Sequence, residues 1–324
     1  MRCPNLRELP SPPPEETGWP WTQESRPLPQ TMGDGQSWPR ISIVTPSYNQ
    51  GQFIEETIRS VLLQGYPDLE YIVIDGGSTD GGIEVLRKYD PWLAYWVTEP
   101  DTGQSNALNK GISRATGDIL FWLNSDDLLL PGALVNVGQV FLENPMTRIV
   151  TGQARIIDAE SKNIGVFKSQ FSSWADLVTR KCIMRQVSSF FDRRLFGELG
   201  MIDESLNYCM DTDLLYRFTK RYTPVVIDSY LVGYRQHGGT KFDHNWVRGY
   251  TEQDHMALEK LSGSCLEKKY RLWSTIHWIK LTLSKHFTIK ERIDCLVHFV
   301  LMLWSLFLKR PKKKPYGEAE RVHE

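Results

Sequence analysis

Asp118-Ile119-Leu120-Phe121-Trp122-Leu123-Asn124-Ser125-Asp126-Asp127 delivers a short apolar run straight into a cluster of amide and acidic side chains. Ile119 to Leu123 has the length of a central strand, with nothing polar to interrupt it. Asn124, Ser125, Asp126 and Asp127 follow at its C-terminal end, the end at which open α/β sheets bind ligands. Adjacent carboxylates repel, so the cluster is costly unless a cation or hydrogen-bond donors lie between them. Oxygen ligands of this kind suit Mg²⁺ or Mn²⁺ held jointly with substrate phosphates. The competing reading is a loop in which Asp126 or Asp127 caps a helix starting near Pro131.

Upstream of this stretch the same grammar repeats. Ile41 to Thr45 reads as a strand, Pro46 to Gly51 as a loop, and Phe53, Ile54, Thr57, Ile58, Val61 and Leu62 as one face of a helix. Tyr71 to Ile74 is a second strand running into Asp75-Gly76-Gly77-Ser78-Thr79-Asp80, followed by a short helix. Leu93 to Val97 is a third, followed by Glu99 to Gln104 and a helix that stops at Gly117. Strands alternating with helices predict an α/β fold with a mostly parallel central sheet flanked by helices. Downstream, a helix from Pro131 and an antiparallel pair (149–157 with 165–167) lead to a turn and helix over 190–201. A helix opening at Cys209-Met210-Asp211-Thr212-Asp213 and strands at 225–227 and 231–235 complete the region, ending at Gln236-His237.

The chain has 324 residues, 41% of them hydrophobic and 24% charged, with net charge -1, so no global field draws it to nucleic acid. Five widely spaced cysteines fit free thiols in a reducing compartment, and no apolar leader is evident. Residues 1–39 hold half of the chain's 18 prolines and little apolar periodicity, and are expected to be a disordered arm. Trp19, Trp21 and Trp38 are exceptions that could pack it onto the domain or a partner. Residues 40–244 are expected to be the catalytic domain, and 245–324 a helical C-terminal extension. Within the extension, 295–308 is almost wholly apolar and five basic residues follow over 309–314. At about 14 residues the run is too short to span a bilayer. It reads either as a core helix or as a segment lying in the cytoplasmic face of a membrane, and the basic cluster favours the second.

Taken in order, these motifs resemble the inverting family 2 glycosyltransferases with a GT-A nucleotide-sugar fold. The resemblance covers about residues 40 to 240 and rests on Pro46-Ser47-Tyr48-Asn49, Asp75-Gly76-Gly77-Ser78-Thr79-Asp80, Glu99-Pro100-Asp101-Thr102-Gly103, Ala107 to Ile112, Asn124 to Asp127, and Met210 to Leu214. It implies a donor site in which Asp75 accepts the uracil N–H, favouring UDP, and Pro46 and Tyr48 border the base. Asp101 would touch the donor sugar or shape a turn, and Asp126 would meet the ribose or sugar, or assist the metal. The resemblance makes Asp127 the ligand of a divalent Mn²⁺ or Mg²⁺ that neutralises the leaving diphosphate. His237 would be a second metal ligand or a diphosphate contact, and Gln186, Ser188 and Ser189 would lie where sugar or acceptor is met. Asp211 would be the general base that takes the acceptor's proton. Two departures stand out: Asn124 where many relatives carry Asp, and Met210 where the family carries Glu.

The implied partners are a nucleotide sugar and a glycan or lipid-linked acceptor, with action in the cytoplasm at the inner face of the cell membrane. Rival classes fare less well. The Gly76-Gly77 loop lacks Gly-x-Gly-x-x-Gly spacing and no Gly-Lys-Ser/Thr loop is present. A glycosidase needs an acid–base carboxylate pair, and one candidate base is offered here. An inert relative serving as a scaffold in a membrane glycan-assembly complex is favoured by Asn124 and Met210, and opposed by Asp127 and Asp211.

Overall fold

Apolar runs rich in β-branched and aromatic residues, each closed by Gly, Pro or Asp, have the composition of buried strands. The computed structural model describes residues 3–32, 35–238, 246–283, 290, 292–297 and 299–300. Its first half runs β1 (Ile41–Ser47), α1 (Ile54–Leu62), β2 (Leu69–Asp75), α2 (Gly82–Tyr89), β3 (Tyr95–Thr98), α3 (Gln104–Arg114) and β4 (Ile119–Trp122). The second half continues with β5 (Leu128–Leu129), α4 (Ala133–Glu143), β6 (Ile149–Ile157), β7 (Asn163–Phe167), α5 (Trp174–Val178), β8 (Ser189–Asp192), α6 (Arg194–Leu199), α7 (Met210–Arg221) and β9 (Val225–Arg235). Helices α8 (Trp246–Leu261) and α9 (Cys265–Thr282) follow.

The strands form one nine-stranded sheet in the order β3-β2-β1-β4-β8-β6-β9-β5, with β7 paired to β6. From β3 to β4 all pairings are parallel, and Val44 of β1 faces Ile72 on one side and Trp122 on the other. Helix α1 buries Ile54, Ile58, Val61 and Leu62, the stripe expected from their spacing. Beyond β4 the sheet is mixed: β8 is antiparallel to both β4 and β6, β9 is parallel to β6, and β5 is antiparallel to β9. Strand β8 lies in the stretch expected to open a turn and helix. It completes the core by stacking Phe190 on Phe121, ring centroids 4.0 Å apart.

The proline-rich arm is folded, contrary to expectation. Leu9, Trp21 and Trp38 are buried, and the backbone N–H groups of Cys3, Ser25 and Leu28 donate to the carbonyls of Tyr66, Leu63 and Gly65. Its anchor is Arg59, a fully buried cation on α1. The guanidinium donates to the carbonyls of Pro10, Pro20 and Trp21 and to the Tyr89 hydroxyl, at 2.8–3.2 Å. Proline lacks a donor but keeps its carbonyl, and Pro29 and Pro39 likewise accept from the Trp38 indole and the Tyr66 hydroxyl.

The chain divides into two compact units, residues 1–253 and 254–324, so the arm belongs with the sheet and the boundary falls inside α8 rather than at 244/245. In the second unit the carboxylate of Asp254 is buried and accepts from the Tyr270 hydroxyl, the Ser274 hydroxyl and the Trp278 indole at 2.5–2.7 Å. Helix α9 leaves Leu272, Ile276 and Ile279 exposed, as is Leu283 just past its end. Most of the apolar run 295–308 and the basic tail lie outside the described residues. Among the described residues no helix is long and apolar enough to cross a membrane.

Candidate functional site

The loops at the C-terminal ends of β1, β2, β3 and β4 converge, as parallel topology requires. Hydrogen bonds lace them together. Asn49 N donates to the Ser78 hydroxyl, Thr79 N to Asn49 Oδ1, and Gly51 N to Asp80 Oδ2, at 2.7–2.9 Å. The result is a cleft of about 790 Å³, within the range of small-molecule sites. Pro46, Tyr48, Gln50, Gly76, Asp101, Gln104, Asn124, Ser125, Asp126, Tyr234 and Arg235 are among the residues that line it. Gln50 Oε1 is a buried acceptor with no hydrogen-bond partner among the described residues.

The acidic cluster divides its labour in an unexpected way. Asp127, the expected metal ligand, turns inward and is only 1% exposed. Its Oδ1 accepts from Arg235 N at 2.9 Å, its Oδ2 from Asn124 Nδ2 at 3.2 Å, and it does not line the cleft. Burial, with the Asp126 charge adding to it, pushes the Asp127 carboxyl well above the ordinary carboxylate range. Asp126 is the residue that faces the cleft, and its Oδ2 lies 3.1 Å from His237 Nε2. Asn124 is explained by the same arrangement. Its Oδ1 accepts from Gln104 and the Trp122 indole while its amide donates to Asp127, a donation that Asp could not make.

Arg235 locks this turn from beneath. Its buried guanidinium donates to the carbonyls of Asp126, Asp158 and Ala159, to the Ser161 hydroxyl and to Glu56 Oε2. The Thr57 hydroxyl bridges the carbonyls of Ser125 and Asp127 from α1. Sequence reasoning missed Arg235, Glu56, Gln104 and Gln50. For Arg235 a signal existed, a lone cation ending an apolar strand two residues before His237.

Asp75 is also reassigned. It is wholly buried, accepting from Gly77 N, Ser78 N and the Thr98 hydroxyl on Oδ2 and from the Ser78 hydroxyl on Oδ1, at 2.5–3.1 Å. Those bonds shape the loop, and Asp75 does not line the cleft. Asp101 does line the cleft, and its Oδ1 accepts from Gly103 N, the bond that shapes the turn.

Asp211 sits in the first turn of α7. The start of that helix is tied to α3 by the Ser105 hydroxyl, which donates to Met210 Sδ at 2.7 Å, one residue from the cleft-lining Gln104. Glu252 accepts from the N–H groups of Asn207, Tyr208 and Cys209 and so fixes the approach to α7. Asp211 Oδ1 accepts from Thr212 N and the Thr212 hydroxyl. Burial pushes its carboxyl above the usual range, against the pull of Thr212 and the Arg185 charge. Gln186 reaches the carbonyl of Trp122 at the end of β4. Ser188 and Ser189, in contrast, are buried and bond to Gly152, Thr151 and Arg185, away from the cleft.

A cation at Asp126 and His237 fits the donor set. The Asp126 carboxylate lines the cleft with the His237 imidazole paired to it, and no group of three or more such side chains converges among the described residues. A Mn²⁺ or Mg²⁺ there would complete its shell with phosphate oxygens and water, the usual division for these ions.

Residues 42–194 match the model described as glycosyl transferase family 2. An uncharacterized glycosyltransferase of Mycobacterium tuberculosis is 30% identical over 195 residues, 59% of this chain and 73% of that protein. A putative teichuronic acid biosynthesis glycosyltransferase, TuaG of Bacillus subtilis, is 29% identical over 166 residues, 50% of this chain and 66% of that protein. Among solved structures, S. aureus TarS 1-349 in complex with UDP-GlcNAc superposes with TM-score 0.62 at 15% identity, covering 81% of each chain. The mannosyltransferase PcManGT from Pyrobaculum calidifontis, in complex with GDP-Man and Mn²⁺, does so with TM-score 0.52 at 19% identity, covering 83% of this chain and 88% of that one.

Proposed function

The chain belongs to glycosyl transferase family 2, and we propose that it transfers a sugar from a nucleotide-sugar donor to a hydroxyl acceptor with inversion. The observation that carries this is a single cleft lined by Tyr48 and Gly76, from the loops after β1 and β2, and by Asp126, whose carboxylate is paired with His237. From the end of β2 to the end of β4 is two strand spacings, roughly 10 Å. That is about the reach of a nucleoside to its diphosphate. A divalent cation bound by Asp126 and His237 would supply positive charge to the departing diphosphate. Asp211 takes the acceptor hydroxyl's proton as its oxygen attacks C1 from the face opposite the diphosphate. The C1–O bond breaks, and its electron pair leaves on the phosphate oxygen.

The acceptor we favour is a glycan or lipid-linked glycan at the inner face of the cell membrane. A relative whose name refers to teichuronic acid biosynthesis supports it, as do the exposed apolar residues of α9 and the basic run over 309–314. The inert-scaffold alternative loses half its basis, because Asn124 serves as donor to the buried Asp127 rather than as a lost ligand.

The test is titration calorimetry of UDP and GDP with and without Mn²⁺. Wild type is expected to bind one of them in a Mn²⁺-dependent way, Asp126→Asn to lose that dependence, and binding to be weak in both when Mn²⁺ is removed. Metal-dependent binding that survives in Asp126→Asn overturns the assignment of the cation to this pair.

A further inference from the structure

With Asp75 wholly buried and absent from the cleft lining, the cleft needs another acceptor for the edge of the base. The space above Gly76 shows where it is. Gly76 has no left-handed φ, so its backbone would admit a side chain. What excludes one is Asp101: a Cβ on Gly76 would lie 2.7 Å from Asp101 Oδ2 and 3.3 Å from the Tyr48 ring. The Asp101 carboxylate, carried by the loop after β3, therefore reaches across the end of β2 into the place that residue 76 leaves vacant. It is fixed there because Oδ1 accepts from Gly103 N at 2.8 Å. Beside it stands the Tyr48 ring, 62% exposed, with a face free to stack on a planar group.

We infer that Asp101 is the specificity residue that reads the base. Its Oδ2 accepts the ring N–H of a uracil or guanine while Tyr48 supplies the stacking face. This rests on the nucleotide-sugar reading of the cleft. A carboxylate is acceptor-only. Uracil N3–H and guanine N1–H both satisfy it, whereas cytosine presents a lone pair at N3 and leaves the carboxylate opposed. An unpaired buried acceptor in such a site costs about a factor of ten or more in affinity. Gly76 is required because any side chain would displace the Asp101 carboxylate.

The experiment is titration of wild type, Asp101→Asn and Gly76→Ala with UDP, GDP and CDP in saturating Mn²⁺. Wild type is expected to bind UDP or GDP at least about tenfold more tightly than CDP. Asp101→Asn keeps the Oδ1 acceptor for Gly103 N but can turn a donor to the base, so its preference over CDP should fall to within about threefold. Gly76→Ala should do the same by displacing the carboxylate while residue 101 remains Asp. If Asp101→Asn still binds nucleotide and keeps the wild-type preference, the base is read elsewhere and only this inference fails. If wild type binds none of the three nucleotides with Mn²⁺, the donor reading fails and takes the inference with it.

Discussion

A base must be ionised to accept a proton, and burial raises the Asp211 carboxyl above the ordinary carboxylate range. Activity, as kcat/KM, should therefore climb as pH rises through that elevated pKa and level off above it. Asp211→Asn should lower kcat by about 10²-fold or more and abolish the acidic limb, with nucleotide affinity unchanged. A variant that keeps wild-type turnover would place the base on another side chain. At this scale the sequence was legible to within one residue. It placed carboxylates at the strand ends, yet in both loops the residue that lines the cleft is the neighbour of the one expected. Asp75 ends β2 and points into the core, and Gly76 meets the cleft. Asp127 N closes a turn onto the Asn124 carbonyl and its side chain goes inward, and Asp126 faces out. Adjacent residues in a turn face opposite ways. Which one is buried depends on partners far along the chain, here Thr98 and Arg235, that no local pattern reveals.

The parallel elements β1 to β4 were readable because strand and helix periods alternate without interruption. Strand β8 was not, since four residues ahead of a helix carry too little periodicity to separate from a turn. The arm misled for a physical reason as well: proline content signals missing donors and says nothing about acceptors. Four of its prolines place their carbonyls on Arg59, Trp38 or Tyr66. Arg59→Ala should thus destabilise the protein by about 3 kcal/mol or more, since hydrogen bonds to a buried charge contribute about 1.5–3 kcal/mol each. A fall in the urea midpoint, together with faster proteolysis within residues 10–30, is the expected readout. An unchanged midpoint would mean that the arm docks through its aromatic residues alone.

Two carboxylates on separate strands of the sheet, Glu70 on β2 and Asp192 on β8, make its stability depend on acid. Burial works against the charge of Glu70, but the Ser42 hydroxyl and the N–H and hydroxyl of Thr116 outweigh it and hold the carboxyl below its usual range. Asp192 is likewise lowered, with Arg194 and Arg148 overcoming its burial. Groups depressed in the folded state take up protons on unfolding. Their contribution is complete above the unfolded values of about 4 and drains away as pH falls below them. Unfolding midpoints in urea should hold steady from pH 7 to 5 and drop from pH 4 to 2.5. Asp192→Asn should start lower and show a shallower drop, and an unaltered profile in that variant would assign the acid sensitivity to other groups. The pairing of β9 also bears on how the protein is made. Strand β5 pairs with β9, and the turn before β5 is pinned by Arg235 at the end of β9. On the ribosome, the slot at Tyr48 and Gly76 can form early, while the Asp126 wall waits for a strand synthesised about a hundred residues later. A nascent chain has to emerge past His237 before the Asp126–His237 pair can form, so the cleft is completed only after both halves of the sheet have been made.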